Sequence, residues 1–390
     1  MLQLEDDKGI PRRLLFMMAA VAGLAVANLY YCQPLLELIR ADLGISVVEA
    51  NMVTVVTQAG YALGLFLIVP LGDLWPRRRI MVACMVAAAL MAAAISVASG
   101  VWVLWGASLV MGACSVVPQL FIPIAGQYSR PADKARNIGF VLSGLLSGIL
   151  GSRVVSGQVA RWLGWRSVFA MASVVMVVSL AAILLWVPAM KPNFRGSWAQ
   201  LMASVGRLAA RSGRIRVCSL RAALGFGSML SVWSCLAFRL AAEPFRAGAA
   251  TVGALGLCGV AGAVAAGGLG RLVTRFGARR FSVAGAAVMM AAWGVAWLFG
   301  GAYAGLVAAI VMVDVGLQCL QLSNQSACMM EAPEASNRAN TIFMTTYFVG
   351  GALGTLLSGL GWEVAGWGGV CAVGGGFALA SLAVTLLSRQ

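Results

Sequence analysis

Twelve apolar stretches, each of about 20 residues and joined by short polar connections, dominate this 390-residue sequence. Backbone groups in lipid must be satisfied within the segment, so spanning stretches become helices or closed barrels. The stretches here are continuous rather than alternating, which argues against a barrel. Charged residues make up only 11% of the chain against 61% hydrophobic. A water-facing surface needs roughly twice that charged share, so the outer surface must face hydrocarbon. The predicted spans are Leu14–Leu36, Val48–Leu71, Ile80–Ser99, Val101–Gln127, Asn137–Ala160 and Ser167–Val187. The second set is Ile215–Ala242, Ala249–Leu272, Phe281–Phe299, Ala302–Met329, Asn340–Gly361 and Gly366–Leu387.

The net charge of +15 is unevenly placed. Arg12 and Arg13 precede span 1, Arg77, Arg78 and Arg79 follow span 2, and Arg130, Lys134 and Arg136 follow span 4. Lys191, Arg195, Arg207, Arg211 and Arg214 lie between spans 6 and 7, with Arg216 at the very start of span 7, and Arg271, Arg275, Arg279 and Arg280 follow span 8. Alternate loops are thus basic, and basic short loops stay in the cytoplasm, so both termini are expected there. Lipid headgroups, not nucleic acid, are the expected partner of this charge. Nine cysteines fall mostly in apolar stretches with no C-x-x-C pair, and histidine is absent. The cysteines read as small buried hydrophobes. No metal cluster, phosphate loop or nucleophile–base pair is visible, so neither a cofactor nor an enzyme activity is expected.

The two sets of spans repeat. At a constant offset of 202, Gln119 meets Gln321, Arg136 meets Arg338, Ser156-Gly157 meets Ser358-Gly359, and Gly164-Trp165 meets Gly366-Trp367. The expected fold is an all-α membrane protein of twelve transmembrane helices in two pseudo-symmetric six-helix bundles. Its expected divisions are an N-terminal half at 1–190, a cytoplasmic linker at 191–214 and a C-terminal half at 215–390. The linker carries a weakly amphipathic run (Trp198, Leu201, Val205, Leu208), read as a helix on the membrane surface.

The loop after span 2 reads Pro70-Leu71-Gly72-Asp73-Leu74-Trp75-Pro76-Arg77-Arg78-Arg79, and its counterpart runs from Gly270 to Arg280. Both resemble the G-x-L-x-D-R-x-G-R-R cytoplasmic motif of the major facilitator superfamily. Ala27-Asn28-Leu29-Tyr30-Tyr31-Cys32-Gln33-Pro34, Gln58-Ala59-Gly60-Tyr61 and Asp314-Val315-Gly316-Leu317-Gln318 resemble a bacterial efflux-type, drug:proton antiporter-like branch. The chain departs from that branch in places. Thr274 replaces the acid of the second motif, Ser108 stands where many antiporters carry arginine, and span 5 lacks the G-P-x-x-G-G signature. The resemblance implies a monomeric bacterial inner-membrane exporter of a small organic molecule, working by alternating access with proton coupling. It also implies gating by Asp73, Arg77, Arg78 and Arg338, with Asp73 capping span 11. A proton-independent facilitator or an importer remains open, as does a non-transporting sensor or assembly protein on the same scaffold.

Charges inside the spans are informative, because each costs about 2.5–3.5 kcal/mol at the helix centre. Asp314 lies mid-span 10 and Arg153 in span 5, each expected to face a cavity or a partner. Asp314, Gln318, Gln321 and Gln325 share one helical face, with Asn324 beside it. Gln119 in span 4 and Gln58 and Tyr61 in span 2 make similar polar faces. Asn28, Tyr30, Tyr31 and Gln33 in span 1 and Trp233 in span 7 complete the candidate substrate and coupling residues. Hydrogen-bonding glue between helices is the competing reading for the glutamines, and an interfacial aromatic belt for Tyr30, Tyr31 and most tryptophans. Asp314 is the first candidate for a protonated coupling group, with a substrate anion or Asp314 itself as partner of Arg153. Arg221 is expected to snorkel. Gly144, Gly148 and Gly151 are expected to pack a neighbouring helix.

Overall fold

The computed structural model of the chain describes residues 7–188, 190, 196–260, 262 and 277–388. Nine helices among them are long and apolar enough to cross a membrane, including Arg77–Ser96, Gly213–Ala241 and Tyr303–Glu331. One of the nine, Pro333–Leu387, is 55 residues long. At 1.5 Å per residue it would reach roughly 80 Å if straight, far beyond a bilayer core. It breaks at Ala365 and Gly366, where the backbone leaves helical geometry, and so supplies spans 11 and 12. Helix Arg12–Ala27 supplies span 1 and Ala249–Cys258 opens span 8, which completes twelve. The remainder of span 8, and with it most of the second basic motif including Thr274, lies outside the described residues.

Spans 1 and 4 are not continuous helices, contrary to the expectation. Span 1 stops at Ala27, turns through 28–32, forms a 3₁₀ turn at Gln33–Leu35 and resumes as Leu36–Leu43. The cause is Pro34, which has no amide N–H to donate and disfavours helical geometry in the residue before it. Span 4 divides into Val101–Cys114 and Val117–Tyr128, with Pro118 opening the second piece. Leu36–Leu43 is tied to span 6 by Asp42, which accepts from Trp165 Nε1 at 3.2 Å and pairs with Arg166.

Helix pairs meet backbone to backbone through small residues. A Cβ on Gly144 or Gly148 would strike the backbone of Ala19 or Gly23 in span 1. The second half repeats this contact between Gly350 and Gly354 of span 11 and Ala223 and Gly227 of span 7. The offset of 202 also holds in the packing between halves: Gly157 lies against Gly253, and Gly359 against Asn51. Gly164 and Gly366, equivalent positions, both carry positive φ, 78° and 56°. Gly151 is a correction to the expected stripe, because nothing lies within 4 Å of its Cβ position.

Arg221 does not snorkel. It is 2% exposed, bonds Ser388 Oγ, and its own carbonyl accepts from Ser381 Oγ at 3.0 Å; the last span covers it before it can reach headgroups. Tyr30 and Tyr31 are buried rather than interfacial, as are Trp165, Trp233 and Trp293. Trp102, Trp162 and Trp297 are exposed, as a belt requires. Helix Trp198–Arg211 starts at a capping box of Ser197 and Gln200. It buries Leu201 and Val205 against the protein, while Trp198 of the same run stays exposed.

Replacing Gly148 by leucine forces spans 1 and 5 apart and should cost about 1–3 kcal/mol. The same change at Gly151 should leave the melting temperature of the detergent-purified protein within a degree or two of the parent, which a paired thermal-shift measurement checks.

Candidate functional site

The break in span 1 places Tyr30 and Gln33 at its irregular turn, where the chain no longer follows one helical face. Gln33 Oε1 accepts from Arg153 Nε at 2.8 Å. The Arg153 guanidinium carbon lies 3.9 Å from the Trp233 ring centroid and 5.1 Å from that of Tyr30. Trp233 Nε1 in turn donates to Asp314 Oδ1 at 3.4 Å. One indole therefore stacks on the cation with its face and holds the carboxylate with its edge. No direct ion pair joins Arg153 to Asp314 among the described residues. Aromatic faces attract a guanidinium by about 2 kcal/mol when water is excluded, which offsets part of the cost of burying it.

Tyr30, Arg153 and Asp314 border a cavity of about 150 Å³ between the two halves, with Gln33 and Trp233 behind them. Tyr61 and Gln119 reach it from the first half, and Gln318, Gln321 and Tyr347 from the second. Gln119 Nε2 donates to Tyr61 Oη at 3.2 Å, and Tyr347 Oη donates to Gln321 Oε1 at 3.0 Å. Leu146, Ile149, Met229, Phe226 and Phe348 make the apolar wall. A mostly apolar chamber with a few convergent polar groups is the ordinary form of a small-molecule site.

Other sequence candidates fall elsewhere. Asn28 donates to Ser115 Oγ at 3.2 Å and holds the turn in span 1 to span 4. Asn324 bonds Ser282 Oγ at 2.8 Å, and Gln325 bonds Asn340 Oδ1 at 2.9 Å; both join helices. Tyr31 is buried in the core. Gln58 is fully buried with neither polar side-chain atom bonded to protein. The polar face that runs from Asp314 toward Gln325 borders the cavity only as far as Gln321, because the lower part of span 10 packs on span 11. Gly259 and Gly262 also border the cavity; with no side-chain chemistry, they leave no signal in the sequence.

A second cleft of about 70 Å³ is bordered by Asp73, Arg77, Asn337, Arg338 and Leu201. Asp73 sits 3.6 Å from Arg77, and Arg77 also bonds Gln127 Oε1 at 3.1 Å and the Gly72 carbonyl at 3.2 Å. The expected cap on span 11 is not formed among the described residues: the helix begins at Ser336 after Ala335, which offers no capping side chain, and Asp73 pairs with Arg77 instead. The cleft intervenes between that helix start and Asp73. Arg78 turns away from the cleft, to the Leu184 carbonyl of span 6.

The Major Facilitator Superfamily model matches residues 15–355. This chain belongs to that superfamily. Uncharacterized transporter YgaY of Escherichia coli O157:H7 is 36% identical over 95% of this chain and 94% of its own. Inner membrane transport protein YnfM of Escherichia coli strain K12 is 24% identical over 94% of this chain and 87% of its own. Among solved structures, a point mutant of the nucleoside transporter NupG superposes with a TM-score of 0.78 over 97% of this chain and 100% of that one, at 12% identity. A point mutant of the peptide transporter POT in complex with sulfate superposes at 0.78 over 99% and 95%, at 15% identity. The facilitator chain is a multi-pass membrane transport protein, not an enzyme.

In this facilitator, Trp233→Ala removes the ring beneath Arg153 and should cost about 3–5 kcal/mol as a large-to-small core change. Trp233→Phe keeps a ring face but deletes the donor to Asp314, and should retain most of that stability. Thermal unfolding of the two purified variants side by side checks the order.

Proposed function

We propose that this protein is a secondary active transporter that moves a small organic molecule through the central cavity by alternating access. The observation that carries the reading is a chamber between two repeated halves, holding a buried arginine and a buried aspartate that do not pair. Rocking of the halves about such a chamber exposes it to each side in turn. The tight seams Gly157–Gly253 and Gly359–Asn51, and the cleft beside Asp73 and Arg338, are surfaces that such rocking would open and close. Asp73, Arg77 and Arg338 act as the gate in this reading, and Arg78 as a fixed anchor.

Export driven by the proton gradient is the mode we favour, following the likeness to the efflux-type branch. Asp314 is the coupling group: it faces the cavity, is 8% exposed, and alternates between a carboxylate that holds substrate and an acid that releases it. The groups facing it are Arg153, Trp233, Tyr347 and Cys258. A proton-independent facilitator uses the same chamber without that alternation. In this reading the protein sits as a monomer in the bacterial inner membrane with both termini cytoplasmic, since alternate loops of the sequence are basic and basic short loops stay in the cytoplasm.

Two measurements test this. Proteoliposomes with an imposed pH gradient, offered a chemically varied set of organic compounds, should accumulate at least one, and Asp314→Asn should abolish gradient-driven accumulation. Gradient-driven accumulation surviving in that variant removes Asp314 from coupling. For topology, a C-terminal alkaline phosphatase fusion should be inactive and a green fluorescent fusion bright; the reverse pattern overturns the orientation.

A further inference from the structure

Resting on the transport reading, we infer that the central site takes a small zwitterion with an apolar body, its acidic group on Arg153 and its amino group on Asp314. Both residues are more than nine-tenths buried, at 3% and 8% exposure. Opposite charges in a low-dielectric interior attract strongly, and a protein that needed only to neutralise them would pair them directly. Here Trp233 keeps them apart, with its face against the guanidinium at 3.9 Å and its N–H on one carboxylate oxygen at 3.4 Å.

What remains unengaged on each group turns toward one place. Arg153 spends Nε on Gln33, leaving its terminal nitrogens as the donors suited to a carboxylate. Asp314 spends Oδ1 on Trp233, leaving Oδ2. The Cβ position of Gly259 lies 2.6 Å from Leu150 Cδ2, 3.5 Å from Asp314 Oδ2 and 4.0 Å from an Arg153 terminal nitrogen. The gap between the two charges therefore lies beside Gly259, where the missing side chain leaves room for Leu150 as well. A Cβ on Gly262 would likewise come within 3.1 Å of Asp314 Cβ. The gap opens on the cavity of about 150 Å³.

The spacing selects a ligand class. A molecule carrying one positive and one negative group a few bonds apart fits across the gap and satisfies both charges at once. It adds no net charge to the chamber, so crossing the bilayer costs least electrostatically. An acid alone leaves Asp314 uncompensated, and an amine alone leaves Arg153 so. The wall of Ile149, Met229, Phe226 and Phe348 suits an aliphatic or aromatic side chain on the same molecule. An α-amino acid with an apolar side chain has this shape. Protonating Asp314 removes the partner of the amino group and so ejects the ligand, which is the coupling sign that proton-driven export needs.

The test uses the full-length purified protein in detergent, with binding read by calorimetry. The probes are two matched trios: L-leucine, 3-methylbutylamine and 4-methylpentanoate, and L-phenylalanine, phenethylamine and 3-phenylpropanoate. At least one amino acid should bind at least tenfold more tightly than both of its single-charge analogues. Arg153→Gln should erase its advantage over the amine, and Asp314→Asn its advantage over the acid. Gly259→Ala adds one methyl beside the two charges and against the flexible end of Leu150, leaving both charged side chains in place. It should weaken amino-acid binding at least tenfold while the melting temperature stays close to that of the parent. Equal binding of an amine or acid, or no binding of either amino acid, overturns the inference. Gradient-driven transport of a non-zwitterionic compound, with no amino-acid binding, sinks this ligand class and leaves the transport reading standing. Amino-acid binding with no transport under any gradient does the converse.

Discussion

Lipid tails are as apolar as leucine side chains, so the helices of this protein cannot be held together by expelling water from between them. Close backbone contact takes that role, and the small residues that permit it set the architecture. Ala19 and Gly23 against Gly144 and Gly148 fix span 1 on span 5; Ala223 and Gly227 against Gly350 and Gly354 fix span 7 on span 11. Gly60, Gly64 and Gly112 bring span 2 onto span 4 in the same manner. With the pairs locked inside each half, the remaining seams fall between the halves, where spans 5 and 8 and spans 2 and 11 cross. The chamber lies beside those seams because both halves contribute side chains there, as they also do at the smaller cleft beside Asp73 and Arg338.

The second constraint is the cost of placing charge there. Arg153 and Asp314 are tolerated because other groups share the burden: Gln33 and the faces of Trp233 and Tyr30 for the cation, the indole N–H for the carboxylate. Irregular backbone contributes as well. The turn at 28–32 brings Tyr30 to Arg153 and leads into Gln33, something a straight span 1 would not do. Broken spanning helices are tolerated where protein or a cavity, rather than lipid, surrounds the break, and this one is enclosed by spans 4, 5 and 7.

Much of this was legible in the sequence for definable reasons. Apolar length and loop charge report directly on the bilayer, so twelve spans and two repeats could be read from them. Intramembrane charges are too costly to be incidental, so Arg153 and Asp314 stood out. Pairings across helices were less legible: nothing in the local pattern says that Gln325 meets Asn340, or that Arg221 lies under the last span. Pro34 and Pro118 were visible, but a proline alone does not say whether a spanning helix kinks or unwinds; the neighbours decide. Gly259 was invisible as a site residue because its contribution is the space it leaves.

The repeat itself explains how one site arises from two similar halves. At the offset of 202, the counterpart of Arg153 is Thr355 and the counterpart of Asp314 is Gly112. Both counterparts serve packing: the Thr355 carbonyl accepts from Asn51 Nδ2 at 3.2 Å, and Gly112 lies against the backbone of Thr57. Arg153 keeps the packing duty too, since its backbone carbonyl abuts Gly253 across the seam, while its side chain enters the chamber. The symmetric contacts thus persist in both halves, and each half adds one charge where the other is neutral. A residue that is both part of the moving seam and a wall of the site couples the two mechanically: whatever binds the Arg153 side chain acts on a backbone position where spans 5 and 8 must part.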